Sequence, residues 1–169
     1  MLELDQRGFA STAYRCVESQ TWKVFEMLKE LIIGLATGAL LAGSAFAGSY
    51  EVQMLNRSGT DTMVFEPAFL RIAPGDTVKF IATDKGHNAE IISGMIPDGA
   101  EPFQGKINEE IEVQLDVEGF YAVKCLPHFA MGMVMTIAVG TDEIPPEGYL
   151  EGRLPPRAKT RLAAQLEAL

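Results

Sequence analysis

Cysteine and histidine are scarce in this sequence, with two residues of each among 169. Two cysteines cannot build the disulfide framework of a small secreted domain. Basic residues are also few, 14 against 23 acidic ones, which gives a formal net charge of −9. Because nucleic-acid binding needs a surplus of Lys and Arg, no nucleic-acid partner is expected. The 47% hydrophobic content is enough for a packed core in one domain.

The sequence contains one long apolar run, "LIIGLATGALLAGSAFA" at residues 31–47. A run that ends in a small-x-small triplet is typical of a signal peptide, and this run is short for a bilayer span. We therefore predict that residues 1–47 are an N-terminal extension and cleavable signal peptide, and that the protein is exported to the periplasm. No stable membrane association is expected after cleavage, whereas an uncleaved anchor is the alternative. Cleavage would remove Cys16, which receives no role, and leave Cys125 alone.

Short alternating segments separated by Gly and Pro dominate residues 48–140. They predict strands at residues 50–55, 69–73, 77–82, 89–92, 110–117, 120–125 and 134–140. Seven or eight short strands at a spacing of roughly 8–12 residues, with no helical pattern between them, are typical of a β-sandwich. The predicted fold is therefore an all-β, Greek-key β-sandwich of seven to eight strands that spans residues 48–140.

The composition changes after the last predicted strand. Residues 141–156 are rich in Pro and Glu and are predicted to form a loop. In residues 158–169, Leu162, Leu166 and Leu169 recur at i, i+4 and i+7, which indicates a short amphipathic helix. Since so short a helix does not persist alone in water, we expect this C-terminal helical tail to pack on the sandwich. A helix that binds a partner is the alternative.

The residues with metal-binding chemistry gather around one segment, "CLPHFAMGM" at residues 125–133. Cys125 ends a predicted strand, His128 follows three residues later, and His87 lies in a loop between two other strands. Loops at one end of a sandwich can bring these side chains and a methionine to a single point. Thiolate and thioether ligands favour copper over zinc. A His₂Cys set with a weak axial Met is the arrangement of a blue-copper electron-transfer site.

Each of these residues alone has an ordinary structural explanation. Cys125 is explained equally well as a buried core thiol, the histidines as polar or loop residues, and the methionines as core filling. Two other protein classes also compete. A periplasmic copper chaperone or storage protein would use an open, Met-rich site, and a purely structural sandwich would bind no metal. The combination of spacing, export and sandwich size favours a carrier, and no nucleophile with an adjacent base indicates an enzyme.

The C-x₂-H-x₄-M spacing, with "GHN" at residues 86–88 and "MIPDGAEPF" at 95–103, resembles the cupredoxins, the type 1 blue copper proteins. Within them it is most similar to the pseudoazurin family, and the likeness covers residues 50–140 and the helical tail. It implies one type 1 copper ion, with the ligands His87, Cys125, His128 and Met133. Amicyanin-like spacing would select Met131 instead. Leu126 and Phe129 stand where the family often has Thr and Tyr.

The resemblance further implies a monomeric carrier that receives one electron from a donor protein. It passes this electron, through Cu(I)/Cu(II), to a transient redox partner such as copper nitrite reductase or another periplasmic reductase. Asn88 is expected to hydrogen-bond across to the Cys125 loop, and Pro127 removes a backbone donor and stiffens that loop. The electron would leave through the exposed edge of His128. The predicted docking residues around that edge are Lys85, Lys106, Lys124, Phe129, Ala130 and Met131. Lysines scattered without a common purpose are the alternative.

Overall fold

Eight β-strands and one α-helix make up the part of the chain that the computed structural model describes, residues 47–140 and 145–167. The strands are β1 (Ser49–Ser58), β2 (Asp61–Glu66), β3 (Phe69–Ile72), β4 (Asp76–Ile81), β5 (Glu90–Ile91), β6 (Ile111–Leu115), β7 (Gly119–Lys124) and β8 (Val134–Val139). The helix α1 spans Pro156–Leu166. The predicted signal peptide lies outside the described residues, except for Ala47. Within the described ranges, no helix is long and apolar enough to cross a membrane.

The strands form two four-stranded sheets. One sheet has the order β2-β1-β4-β6 and the other has the order β3-β8-β7-β5. β1 runs parallel to β4 and β3 runs parallel to β8, whereas the remaining neighbours are antiparallel. Because parallel neighbours need crossover connections, the chain passes repeatedly from one sheet to the other. These two packed sheets confirm the predicted all-β, Greek-key sandwich of seven to eight strands.

The edge strand β2 has no counterpart among the seven predicted strands. It follows a turn in which Gly59 has a φ of 56°, and it pairs antiparallel with β1 from Ser58 opposite Asp61 to Gln53 opposite Glu66. Only Phe65 of its six residues is buried. The alternation that identifies a half-buried strand is therefore weak here, which explains why the sequence did not reveal it.

The predicted alternation does decide which side chains face the core. In β4, Val78 and Phe80 are completely buried, whereas Lys79 and Ile81 are half-buried. β8 differs, because all six of its residues are buried. One face of β8 belongs to the core between the sheets, and its other face lies under α1.

The C-terminal helix packs on the outside of the second sheet. Ala158 and Leu162 are completely buried in a cluster with Ile92, Met95 and Val134. The helix begins at Pro156, two residues before the predicted start, since proline is favoured in the first turn of a helix. Its predicted last residue, Leu169, lies outside the described residues.

Candidate metal centre

His87, Cys125 and His128 meet at one end of the sandwich. Cys125 Sγ lies 3.7 Å from His87 Nδ1 and 3.5 Å from His128 Nδ1, and the two Nδ1 atoms are 3.1 Å apart. His87 and Cys125 are completely buried, whereas His128 is half-buried. Two imidazoles and one thiol therefore form a small triangle of donor atoms that is nearest to solvent at His128.

Two separate loops supply these side chains. His87 lies between β4 and β5, and Cys125 follows directly after β7. His128 lies in a 3₁₀ segment, Leu126–Met131, and it departs from helical geometry at φ −114° and ψ 16°. Cys125 itself has an extended backbone at the start of that segment. Cys125 and His128 are three residues apart in the sequence. The end of β7 and the tight turn after it therefore bring their side chains together on one side of the triangle.

Backbone hydrogen bonds close the loop that runs from Cys125 to Met133. The Cys125 N–H donates to Met133 O at 3.0 Å, and the Met133 N–H donates to His128 O at 3.2 Å. Gly132 ends the 3₁₀ segment with a φ of 84°, a conformation that other residues rarely adopt. A Cβ on Gly132 would also lie 3.1 Å from the backbone oxygen of Arg157 in α1. The loop is thus held by its own backbone hydrogen bonds and by its close packing against α1.

The two candidate axial methionines lie in different environments. Met133 is completely buried in the same core cluster as Cys125. Met131 is 38% exposed at the end of the 3₁₀ segment. The structure therefore places Met133 among the buried residues beside the triangle and Met131 at the surface.

A hydrogen bond to Asn56 selects the tautomer of His87. The Nε2 atom of His87 lies 2.9 Å from Asn56 Oδ1, near the end of β1. Because a carboxamide oxygen only accepts, Nε2 carries the proton and Nδ1 keeps its lone pair free for a metal. Burial lowers the pKa of His87, and the neighbouring His128 lowers it further, while Asp84 partly opposes them. The neutral, metal-binding form of His87 is therefore favoured.

The environment of Cys125 keeps its thiol protonated in the absence of a cation. Burial raises the pKa of Cys125, although the backbone N–H groups of Asn88 and His128 lower it in part. The charge of Glu90 adds to the increase. A bound metal ion deprotonates a coordinating thiol outright, so the thiolate is expected to form together with the metal complex.

Comparisons with known proteins agree with this geometry. A family model described as copper binding proteins of the plastocyanin/azurin family matches residues 52–140. The pseudoazurin of Paracoccus pantotrophus is 43% identical over 136 residues, which are 79% of this chain and 94% of that protein. The chain belongs to the copper-binding plastocyanin/azurin family. Its fold is also similar to the crystal structure of pseudoazurin from Methylobacterium extorquens AM1, with a TM-score of 0.67 and 40% identity over 71% of this chain and 98% of that one.

Membership of this family makes copper the cofactor, and the donor atoms fit that metal. Metal–imidazole and metal–thiolate bonds of about 2.0 and 2.3 Å place the donors of a trigonal site roughly 3.5–3.7 Å apart. The two sulfur–nitrogen separations, 3.5 and 3.7 Å, agree with this spacing, whereas the two nitrogens, at 3.1 Å, lie somewhat closer together. Two imidazoles and a soft thiolate are a donor set typical of type 1 copper. The predicted cupredoxin resemblance is confirmed, and as a member of this family the protein is an electron carrier rather than an enzyme.

Asn88 joins the two loops that carry the donor atoms. Its Oδ1 accepts the Leu126 N–H at 2.8 Å. Its Nδ2 donates to Glu90 Oε2 at 3.0 Å and to Gly105 O at 3.1 Å. Pro127 is exposed in the first turn of the 3₁₀ segment, where its missing N–H leaves no donor unsatisfied. Both residues thus restrain the backbone on either side of the triangle.

The predicted docking residues are not equally accessible. Lys85, Lys106, Ala130 and Met131 are exposed, whereas Phe129 is half-buried. The Lys124 side chain is only 17% exposed, lies 3.2 Å from Glu90 Oε1, and stacks with its Nζ 5.1 Å from the Phe129 ring centroid. Lys124 is therefore engaged inside the protein and is not presented as a docking cation.

The sequence did not identify Asn56 or Glu90 as neighbours of the triangle, and it indicated no role for Leu126. Asn56 and Glu90 contact the donor loops, as described above, and Leu126 adds a 53% exposed apolar side chain next to His128. A polar residue near the end of β1 and an acidic residue two positions after Asn88 were the available signals. Neither reveals its partner without the tertiary structure.

Proposed function

We propose that the protein is a periplasmic type 1 blue copper electron carrier. In this proposal His87, Cys125 and His128 bind the copper ion, and Met133 is the weak axial ligand. The observation that carries it is the convergence of two imidazole nitrogens and one thiol sulfur within 3.7 Å of one another in a buried site. Export and loss of residues 1–47 remain part of the proposal, on the strength of the apolar run and its small-residue end.

Fast electron transfer requires ligands that move little between oxidation states. The protein chain supplies the rigidity that keeps these ligands in place. Copper supplies the one-electron Cu(I)/Cu(II) couple. The hydrogen bonds that His87 Nε2–H donates to Asn56 Oδ1 and that the Leu126 N–H donates to Asn88 Oδ1 hold the two donor loops in place. Burial of Cys125 and Met133 excludes water from the sulfur side. Of the three donor residues, His128 is the one that is not completely buried, and we propose that electrons pass through its imidazole.

Titration of the purified, copper-free protein with Cu(II) tests this function. We expect uptake of one copper ion per chain, an intense visible thiolate-to-copper absorption, and a higher melting temperature because the ion binds the native state. Zn(II) is the matched control, since a d¹⁰ ion can occupy the same donors without colour. Weak or transient absorption would favour the copper chaperone or storage protein. Absence of specific uptake would contradict both and leave a structural domain.

The axial ligand is tested by matched substitutions at the two methionines. We expect Met133→Gln to retain a copper site and to lower its reduction potential, because a harder oxygen ligand favours Cu(II). Met131→Gln should leave the potential unchanged and alter stability by less than about 0.5 kcal/mol, since the side chain is exposed. Protein-film voltammetry measures both potentials. A larger shift from Met131→Gln than from Met133→Gln would overturn the assignment.

We propose that the protein acts as a monomer and docks transiently through the His128 face, which consists of Leu126, Pro127, Phe129, Ala130 and Met131. Three of these side chains are large and apolar, and such an exposed patch marks an interaction site. The Lys85 loop lies beside it, since a Cβ on Gly86 would be 3.9 Å from His128 Cε1. The Lys106 turn adjoins that loop through the bond from the Gly86 N–H to Asn108 Oδ1, at 2.6 Å.

Lys85 and Lys106 would therefore border an apolar patch on a protein that is acidic overall. Basic groups around a small interface accelerate the encounter with an acidic partner more than they strengthen the complex. The resemblance to pseudoazurins supports a periplasmic reductase of the denitrification type, such as copper nitrite reductase, as that partner. Lys124 is left out of this basic border, since it is paired with Glu90.

Electron transfer to such a reductase should depend on ionic strength. We expect Lys85→Glu to slow the second-order rate by about tenfold at low salt, at the lower end of electrostatic steering, and to leave the copper spectrum unchanged. Lys159→Glu, on an exposed position of α1, makes the same change of charge and should have a much smaller effect. Stopped-flow measurements at several salt concentrations give these rates. Electron-transfer rates that change neither with salt concentration nor with Lys85→Glu would contradict the proposed role of the basic border.

A further inference from the structure

Glu90 is a buried carboxylate that lies at the centre of a hydrogen-bond network beside the metal centre. Only 7% of the residue is exposed, and it opens β5, opposite Lys124 in β7. Its Oε1 pairs with Lys124 Nζ at 3.2 Å. Its Oε2 accepts hydrogen bonds from Asn88 Nδ2 at 3.0 Å and from Gln104 Nε2 at 3.1 Å. Both oxygens of this buried charge are therefore satisfied by defined partners.

This network determines which way the Asn88 carboxamide points. The two groups that face Nδ2, Glu90 Oε2 and Gly105 O, can only accept hydrogen bonds. A flipped amide would set its oxygen against both acceptors and turn its NH₂ group toward the Leu126 N–H, which is a donor. The two acceptors therefore direct Oδ1 toward Leu126, where it accepts the N–H at 2.8 Å, and the carboxylate is the charged acceptor of the two.

We propose that Glu90 is a positioning residue for the copper centre, which orients Asn88 so that it holds the Leu126 N–H directly after the proposed ligand Cys125. The redox consequence of this inference rests on the proposed copper function, whereas its structural step does not. A charged acceptor strengthens the Asn88 hydrogen bond, since bonds to ionised groups are about twice as strong as neutral ones. The carboxylate thereby acts on the ligand loop through another side chain, without contacting any donor atom.

Two substitutions of Glu90 separate positioning from charge. Glu90→Gln removes the charge, but its amide oxygen can still accept from Asn88 and Gln104. Glu90→Ala removes both the charge and the acceptor. We expect Glu90→Ala to accelerate amide hydrogen exchange at Leu126 by roughly tenfold and Glu90→Gln to leave it within about twofold of the original protein. The amide of Ile92, which follows β5 and donates to Ala122 O in β7, reports any general loosening between these two strands.

A double-mutant cycle with Asn88→Ala decides whether Glu90 acts through Asn88. In that background Glu90→Ala should accelerate exchange at Leu126 no further. Exchange is measured by NMR on both the copper-free and the copper(I) protein, so failure to bind copper would contradict the proposed function without affecting this test. Glu90→Met fills similar space without an acceptor and makes the same prediction as Glu90→Ala, in case the smaller side chain prevents folding.

The reduction potential of the copper site provides a second readout. A purely structural role of Glu90 would not change this potential in the pattern that we expect for the two variants. Both Glu90 variants should raise the potential, because loss of a nearby negative charge favours Cu(I). The reduction potentials of the two variants should differ from each other only when Asn88 is present. Glu51→Gln removes an exposed carboxylate in β1 and controls for net charge. Unchanged Leu126 exchange in Glu90→Ala, or an equal acceleration in the Asn88→Ala background, would overturn the proposal.

Discussion

Replacement of Cys125 with serine will abolish the intense visible absorption of the copper protein and leave the sandwich folded. A hydroxyl cannot supply the thiolate-to-copper transition, and serine oxygen is a harder, weaker ligand for copper than thiolate sulfur. The side chain is completely buried, so the new hydroxyl should cost about 1–3 kcal/mol of stability if it lacks a partner. The two packed sheets do not depend on this one atom.

Visible absorption and circular dichroism of the Cys125→Ser protein with added Cu(II) give the two readouts. Cys125→Ala is the matched variant, because it removes the sulfur without adding a buried hydroxyl. Both variants should be colourless, and the alanine variant should be the more stable if the hydroxyl is unsatisfied. Retention of the intense absorption in either variant would exclude Cys125 as the thiolate ligand.

Replacement of Arg161 with glutamine should lower the free energy of unfolding by about 2–3 kcal/mol, since hydrogen bonds to charged groups contribute about 1.5–3 kcal/mol. Arg161 Nη1 donates to Met63 O and to Gly132 O, at 2.9 Å each. Its Nη2 donates to Thr62 O at 3.1 Å and lies 3.4 Å from Asp61 Oδ1. One side chain thus ties α1 to the edge strand β2 and to the glycine that closes the donor loop.

Denaturant unfolding measures this effect, and Lys159→Gln is the matched control. Lys159 lies on the same helix but is exposed, so its loss should change stability by less than about 0.5 kcal/mol. If Arg161→Gln and Lys159→Gln unfold at the same denaturant concentration, the role of Arg161 in joining these elements is refuted. Faster amide exchange at Gly132 in Arg161→Gln would show that the donor loop is also affected.

The chemistry of the site could be recognised from the sequence because it depends on local spacing. Cys125 and His128 are three residues apart at the end of a strand, so a single tight turn is enough to bring them together. His87 could be added because few other donors existed and because loops at one end of a sandwich converge. Strand periodicity likewise identified the buried face of β4, where Val78 and Phe80 enter the core.

Features that depend on pairing between distant segments were decided only by the tertiary structure. Asn56 reaches His87, Arg161 reaches Met63, and Lys124 meets Glu90 rather than solvent. None of these contacts leaves a periodic signal, because a hydrogen bond across strands depends on sheet register and helix docking, and these follow from the packing of the whole core. Local sequence therefore determined seven of the eight described strands and the donor residues of this protein, whereas only the folded chain decided where β2 pairs and which side chains hold those donors in place.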